Sequence, residues 1–178
     1  VLLIRSGGDP HLALGIGHEL ITAHPQAIDR RFLDSYADWR SWKDYADLAR
    51  QPRFEPSAVA ARIAPEPGLA PRLEAGIRAI AARIAQEGVV PINIPSVGLS
   101  QTKGAVSHCL WGNALASVGK YGLRPDGTPA GGTLRIPGQI NAESEVQAFS
   151  RAFFFGRIPV DDAGAAEVAR RMGLPDDS

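Results

Sequence analysis

The sequence predicts an α+β fold, a small antiparallel sheet flanked by helices, and three observations support this prediction. Residues 1–24 contain short apolar runs separated by turn residues, which is typical of strands. From Ile28 to about Ala85, apolar side chains recur every three or four residues, as in amphipathic helices. The chain has 178 residues, 44% of them apolar, so it can bury a real core. We expect one domain over residues 1–178, with a helical insertion at about 28–87.

The N-terminal strands are predicted from composition. Residues 1–4 are aliphatic and precede a Gly- and Pro-containing turn. Residues 11–16 are apolar enough for a central strand, residues 17–19 suit a tight turn, and residues 20–24 return before Pro25 ends the run. This interpretation gives a hairpin with a histidine at each outer end, His11 and His24.

The remaining elements are mostly helical. Helical spacing joins two sets of apolar residues: Ile28, Phe32, Tyr36 and Trp39, then Leu73, Ile77, Ile80 and Ile84. We expect Gly88 to end the second helix and a last amphipathic helix to span residues 163–172. A third helix is predicted to start near Cys109, with Ser107 as its candidate cap, and to run to about Val118. Residues 120–132 are predicted to be a Gly- and Pro-rich loop, followed by a strand at 133–136.

The charge balance excludes several classes of partner. Nineteen basic and nineteen acidic side chains cancel, so the sequence predicts no nucleic-acid partner and no attraction to an anionic membrane surface. The longest apolar stretches are too short to span a bilayer, and the N-terminal residues lack the pattern of a signal peptide. With a single cysteine, the chain cannot form an internal disulfide, and this leaves the compartment open.

The one cysteine and the upstream histidines are the residues that point most directly to chemistry. Cys109 opens an apolar segment, while His11, His18 and His24 all precede it. A thiol is a nucleophile only as thiolate, and a neighbouring imidazole is the usual means of lowering its pKa. The predicted position of Cys109 near a helix start adds the helix dipole and backbone N–H groups that can hold an oxyanion.

Two segments carry a resemblance to a known superfamily. Residues 10–23, a predicted strand that opens with His11, and residues 107–111, which contain Cys109, follow the pattern of a His-bearing strand before a Cys-bearing helix. The chain therefore resembles the circularly permuted branch of the papain-like NlpC superfamily, which includes lecithin:retinol acyltransferase-like proteins and bacterial amidases. The matched segments cover roughly a quarter of the chain and their pattern is degenerate.

The resemblance implies a cysteine amidase, peptidase or acyltransferase with a permuted papain-like fold. Cys109 attacks a carbonyl, His11 takes and returns the proton, and a thioacyl intermediate passes to water or another acceptor. A third polar residue on the next strand orients the imidazole; His24 is favoured over Thr22, with Glu19 nearby. The substrate is an amide or ester in a peptide, peptidoglycan peptide or acyl-lipid, and no cofactor is implied.

Two other functions stay open, and a metal site does not follow from the sequence. Glu143 and Glu145, with Arg5 and the Ser100 segment upstream, resemble the Arg, Ser and Glu elements of ADP-ribosyltransferase toxins, which implies NAD as substrate. A non-catalytic binding module with an inert Cys109 is the third possibility. His18 and His24 are six residues apart, not the four that place two zinc ligands on one helix face, so we predict no metal site.

Overall fold

The structure is a computed structural model that describes residues 1–94, 104–133, 153–154, 158–159 and 162–173. The chain separates into two compact units, Val1–Ile136 and Pro137–Ser178. The described part is an α+β structure, which confirms the predicted fold class. Helices dominate, and the three-stranded sheet is mixed, not antiparallel as predicted, because one of its two strand pairs is parallel. The single-domain organisation and the permuted papain-like arrangement stay predictions.

The predicted N-terminal hairpin is wrong. Residues 1–4 lie outside any strand, and the chain from Asp9–Thr22 is one helix, α1, followed by a short 3-10 turn at Pro25–Ala27. Pro10 stands in the first turn, where its missing N–H removes no helical hydrogen bond, and Asp9 there complements the helix dipole. All nine residues from Ala13 to Ile21 are buried, so α1 is covered on every side and has neither an alternating nor a one-sided apolar pattern.

The two glycines interpreted as turn residues are packing positions inside α1. A Cβ on Gly15 would lie 3.2 Å from the Val59 side chain. A Cβ on Gly17 would lie 2.1 Å from the hydroxyl oxygen of Tyr45, a side chain that is only 5% exposed. The missing side chains therefore allow neighbouring helices to approach α1 closely.

Four helices follow α1 in the predicted helical region. They are α2 (Arg30–Tyr36), α3 (Trp39–Ala49), α4 (Pro56–Ile63) and α5 (Ala70–Ala85), with 3-10 turns at Pro52–Phe54 and Pro67–Leu69. Helix α5 buries Leu73, Ile77 and Ile84, as its spacing predicts, but it ends before Gly88, with Gln86 as its C-cap. Helices α3, α4 and α5 all contact α1, which is the centre of the core.

Helix α6 (Gly104–Ser117) also packs on α1. One strand precedes α6 in the sequence, and two strands follow it. Strand β1 (Ile92–Asn93) pairs in parallel with β3 (Pro129–Thr133), pairing Ile92 with Gly132. Strand β2 (Gly122–Leu123) pairs antiparallel with β3, so the sheet order is β1-β3-β2. The predicted loop at 120–132 is thus partly a hairpin; residues 134–136 of the predicted strand lie outside the described residues.

The unit Pro137–Ser178 contains a two-stranded antiparallel pair and the last helix. Strands β4 (Phe153–Phe154) and β5 (Ile158–Pro159) pair Phe153 with Pro159. Helix α7 (Asp162–Met172) confirms the prediction for residues 163–172. Its Glu167 accepts hydrogen bonds from Arg170 and Arg171, which lower the pKa of that carboxyl to about 2.

Among the residues that the structure describes, no helix combines the length and the apolar composition that a bilayer span requires.

Candidate functional site

Cys109 is accessible, but it is not at a helix start. It is the sixth residue of α6, past the first four residues whose N–H groups are free in a helix, so its own N–H is not available to an oxyanion. Its side chain is exposed. At about 100° per residue, it lies about 140° around the helix from Ala114, which is buried in the core that α6 shares with α1. The predicted cap Ser107 is a buried residue inside the helix.

His11 lies at the first turn of α1 and contacts α4. Its Nε2 is 3.2 Å from Nη1 of Arg62. A guanidinium is always a donor, so Nε2 is the acceptor in this hydrogen bond and its lone pair is engaged. A general base needs that lone pair for the proton it takes. Among the described residues, no hydrogen bond joins Cys109 to a histidine.

The predicted third residue is not beside His11. His24 follows the other end of α1, and the 11 residue steps from His11 to Thr22 alone rise about 16 Å along the helix axis. The cross-strand contact that made His24 the orienting group depends on the hairpin, which is absent. Thr22 donates its hydroxyl to the carbonyl of His18 at 2.7 Å, a bond within one helix.

His18 and Glu19, the other polar residues of α1, have structural partners. The Nδ1 of His18 is 2.8 Å from the carbonyl oxygen of Ala49, so Nδ1 carries the proton and ties α1 to the end of α3. Glu19 is 7% exposed and accepts from Nη1 of Arg78 at 2.8 Å. This charged pair joins α1 to α5 and satisfies the buried carboxylate.

The ADP-ribosyltransferase residues are not assembled in the described part of the chain. The backbone N–H of Arg5 donates to the carbonyl of Ile63, and its side chain is exposed. Ser100, Glu143 and Glu145 lie outside the described residues.

A groove of about 500 Å³ lies in the first unit, and none of these residues lines it. This volume is within the range of small-molecule sites, roughly 300–1,000 Å³. Its lining includes α2, the end of α5 and the β2–β3 hairpin. The side chains that line it and bear on recognition are Arg31, Phe32, Tyr36, Lys120, Leu123 and Arg124.

The α2 side of the groove is fixed to α6 through Asp29. The Asp29 carboxylate accepts a hydrogen bond from the backbone N–H of Phe32 at 2.8 Å and so caps α2. The backbone N–H of Asp29 donates to the carbonyl of Ser117 at 2.9 Å. Gly119 follows α6 with φ of +65°, and a Cβ there would lie 2.3 Å from Asp29 Oδ2. Glycine is therefore required for this close approach of α6 to α2.

The α2 residues in the groove differ in their attachments. Arg31 is exposed, and within the described residues it forms no ion pair. Phe32 and Tyr36 are one turn apart, with ring centroids separated by 5.2 Å and planes tilted by 43°. The Tyr36 ring is 80% exposed although it borders the groove.

Two cations on the hairpin side are held by backbone carbonyls instead of carboxylates. Lys120 Nζ donates to the carbonyls of Gln86 and of Val89, the latter at 2.8 Å, and so lies at the carboxyl end of α5. Arg124 donates to the carbonyl of Pro129 at 2.5 Å. These neutral partners fix the side chains without neutralising them; the carboxylates that interact with them electrostatically are Glu87 for Lys120 and Asp126 for Arg124.

The lowered pKa of Lys120 reflects its burial and the positive charges around it. Burial lowers the pKa of Lys120, and the positive charges of Arg124 and Arg83 lower it further, against a smaller opposing effect of Glu87. Two acidic residues, Asp29 and Glu87, also line the groove, whereas three basic residues line it, so basic residues outnumber acidic ones. A ligand anion would therefore relieve repulsion between groups that are already fixed in place.

Sequence reasoning missed this groove, because its residues come from three separated segments. One local signal was available: Asp126 and Gly127 form the dipeptide typical of a hairpin turn, and Gly127 N–H donates to the carbonyl of Arg124 at 2.9 Å. Recognising that hairpin would have placed Lys120 and Arg124 near one another.

Comparison with known proteins gives no family assignment. The sequence matches no protein-family model, and no curated protein is significantly similar to it. The function must therefore be inferred from the residues themselves.

Proposed function

We propose that the unit Val1–Ile136 is a binding domain for a small anionic ligand, which occupies the groove between α2 and the β2–β3 hairpin. This proposal corresponds to the non-catalytic binding module, the third possibility that the sequence left open, and it assigns the groove as the binding site. The observation that carries it is the arrangement of Arg31, Lys120 and Arg124 around one concave volume, with Arg31 lacking an ion-pair partner among the described residues.

Preorganisation supports the proposal. Lys120 and Arg124 are already held by carbonyl groups, so a bound anion does not have to order them, and less conformational entropy is lost on binding. Arg31 supplies a planar fork of donors suited to carboxylate or phosphate. Binding is expected to weaken as ionic strength rises, because these charges lie near solvent.

The test is a titration of the protein with pyrophosphate, followed by isothermal calorimetry and by amide NMR signals. We expect saturable binding that shifts signals of residues around the groove. Arg31→Gln should weaken it about tenfold, equivalent to about 1.4 kcal/mol. Because Arg31 is exposed and has no ion pair within the described residues, this variant should keep its unfolding midpoint.

Arg40→Gln is the matched control, since Arg40 is exposed on α3 and does not line the groove. Its affinity for pyrophosphate should equal that of the unmodified protein. If Arg31→Gln and Arg40→Gln weaken binding equally, the effect is one of net charge and the groove is not the site. Absence of saturable binding would also contradict the proposal.

A cysteine hydrolase or acyltransferase is the second candidate, and the exposure of Cys109 favours it. A thiol must be accessible to attack an amide or ester carbonyl, and Cys109 is. In this proposal a histidine that reaches the thiol in the substrate complex takes its proton, and the thiolate attacks the carbonyl carbon. The bond to the amine or alcohol breaks as the histidine returns the proton to that leaving group, and water or another acceptor then takes the acyl group from Cys109. His11 can serve only after Arg62 releases its Nε2.

Alkylation with iodoacetamide separates catalytic from ordinary reactivity at Cys109. A catalytic thiol keeps reacting well below pH 8, because thiolate persists beneath the usual thiol pKa of about 8.5. Its rate should fall on His11→Ala while circular dichroism shows an intact fold. A rate that follows an ordinary thiol titration and ignores His11→Ala would leave Cys109 an exposed surface residue without this function.

A further inference from the structure

The groove combines cations with exposed apolar rings, and this combination narrows the class of ligand. Resting on the proposed anion-binding function, we infer that the occupant is a small aromatic anion: its flat ring lies against Phe32 and Tyr36, and its phosphate or carboxylate faces Arg31, Lys120 and Arg124. Nothing else assigned to the chain accounts for the exposed ring of Tyr36 at the edge of a charged groove.

The aromatic pair supplies the first argument. Phe32 packs against Tyr36 at 5.2 Å on one side, so Tyr36 is held in position while its ring stays 80% exposed. Ring stacking in offset or tilted geometry is favourable beyond the burial of apolar area alone. A third ring placed in the groove can therefore extend an aromatic pair that already exists.

The hairpin supplies the second argument. Leu123, which also lines the groove, is 71% exposed. Apolar side chains from two different elements, α2 and β2, thus border the same volume as the cations. A bare inorganic anion would leave both of them in water, whereas a ligand with an aromatic ring would bury them.

The size of the groove supplies the third argument. At about 500 Å³, it exceeds what a phosphate or sulfate ion needs and suits a molecule with one or two rings and an anionic group. The cations act as the polar groups that fix the orientation of the ligand, and the apolar side chains supply contact area. The shared chemistry is an aryl or heteroaryl ring joined to a phosphate or carboxylate.

The experiment compares three probes by calorimetry: inorganic phosphate, cyclohexyl phosphate and phenyl phosphate. The last two differ mainly in the flatness and π-electrons of the ring. We expect phenyl phosphate to bind at least tenfold more tightly than inorganic phosphate and several-fold more tightly than cyclohexyl phosphate. Upfield shifts of the Tyr36 ring protons should accompany the binding of phenyl phosphate.

Tyr36→Leu tests the residue and keeps an apolar side chain. It should remove most of the preference for phenyl phosphate over cyclohexyl phosphate. Because Tyr36 is so exposed, the fold should tolerate this change. Tyr121→Leu is the matched control, since Tyr121 is also exposed but does not line the groove.

The outcomes distinguish this inference from the function on which it rests. If phosphate and phenyl phosphate bind equally well through Arg31, the anion site stands and the aromatic inference fails. If cyclohexyl and phenyl phosphate bind equally well, the groove recognises apolar surface and the inference also fails. If no probe binds, the proposed function fails and the inference fails with it.

Discussion

The contact between Gly17 and Tyr45 gives the sharpest test of the core. Gly17→Ala adds a Cβ that would lie 2.1 Å from the Tyr45 hydroxyl oxygen, and that side chain is only 5% exposed, so it has little room to move. Overpacking of this kind costs about 1–3 kcal/mol, whereas alanine in place of glycine inside a helix gains about 1 kcal/mol. We expect a net loss of up to about 2 kcal/mol in the free energy of unfolding.

Tyr45→Phe should reverse the sign of that effect. Without the oxygen, the nearest atom to the new Cβ is the ring Cζ at 3.2 Å, a contact that a small shift relieves. The helix propensity of alanine then dominates, and Gly17→Ala becomes neutral or stabilising in this background. Tyr45→Phe alone should not destabilise the protein, because the buried hydroxyl has no hydrogen-bond partner among the described residues.

Urea unfolding of the four proteins in this double-mutant cycle gives the coupling energy, expected at about 1–3 kcal/mol. Gly112→Ala is the control, because a Cβ at Gly112 would meet only Tyr121, at 3.9 Å. It should stabilise α6 by up to about 1 kcal/mol in both backgrounds. Equal effects of Gly17→Ala with and without the Tyr45 hydroxyl would refute the packing of α1 against α3 described above.

Three further predictions concern the attachments between helices. Gly119→Ala should destabilise the protein in urea, because alanine strains a φ of +65° and its Cβ would meet the Asp29 carboxylate at 2.3 Å; an unchanged midpoint would contradict this junction. Asp38 caps α3, and its hydrogen bonds to Ser41 lower the pKa of its carboxyl below 3.8, so the folded protein favours the charged form. The unmodified protein should therefore melt at a higher temperature than Asp38→Asn. This difference should be fully present above about pH 4 and shrink as the pH falls below 3.8. Glu19→Gln should lower the free energy of unfolding by roughly 1–3 kcal/mol, since the carboxylate is buried while its arginine partner is half exposed, and calorimetric scans without any shift would argue against this pair.

The sequence predicted α5, which has one apolar face, and failed on α1, which is buried on all sides. In α5, Leu73, Ile77 and Ile84 are buried at helical spacing, and the pattern alone indicates the element. In α1, every residue from Ala13 to Ile21 is buried, so the periodic signal disappears. Gly15 and Gly17 were then interpreted as strand and turn residues, although tertiary packing against α3 and α4 is what requires them.

The candidate site was less predictable, for a physical reason. Cys109 stands out because it is the only cysteine, but its orientation on α6 depends on which face α1 covers. The groove depends on Arg31 lining the same volume as Lys120 and Arg124, which lie about ninety residues further along the chain, and no local pattern encodes that arrangement. Charge balance over the whole chain concealed it, because a neutral total does not exclude a local excess of positive charge.

The central position of α1 has a consequence for how the chain can be divided. Helix α1 is covered by α3, α4 and α5, which lie within residues 39–85, and by α6, which begins 82 residues after α1 ends. A fragment that stops after α5 would expose the side of α1 that α6 covers, and with it an aliphatic surface prone to aggregation. Any deletion series intended to find a minimal soluble fragment should therefore lose solubility abruptly at α6, and limited proteolysis between α5 and α6 should leave two pieces that stay associated.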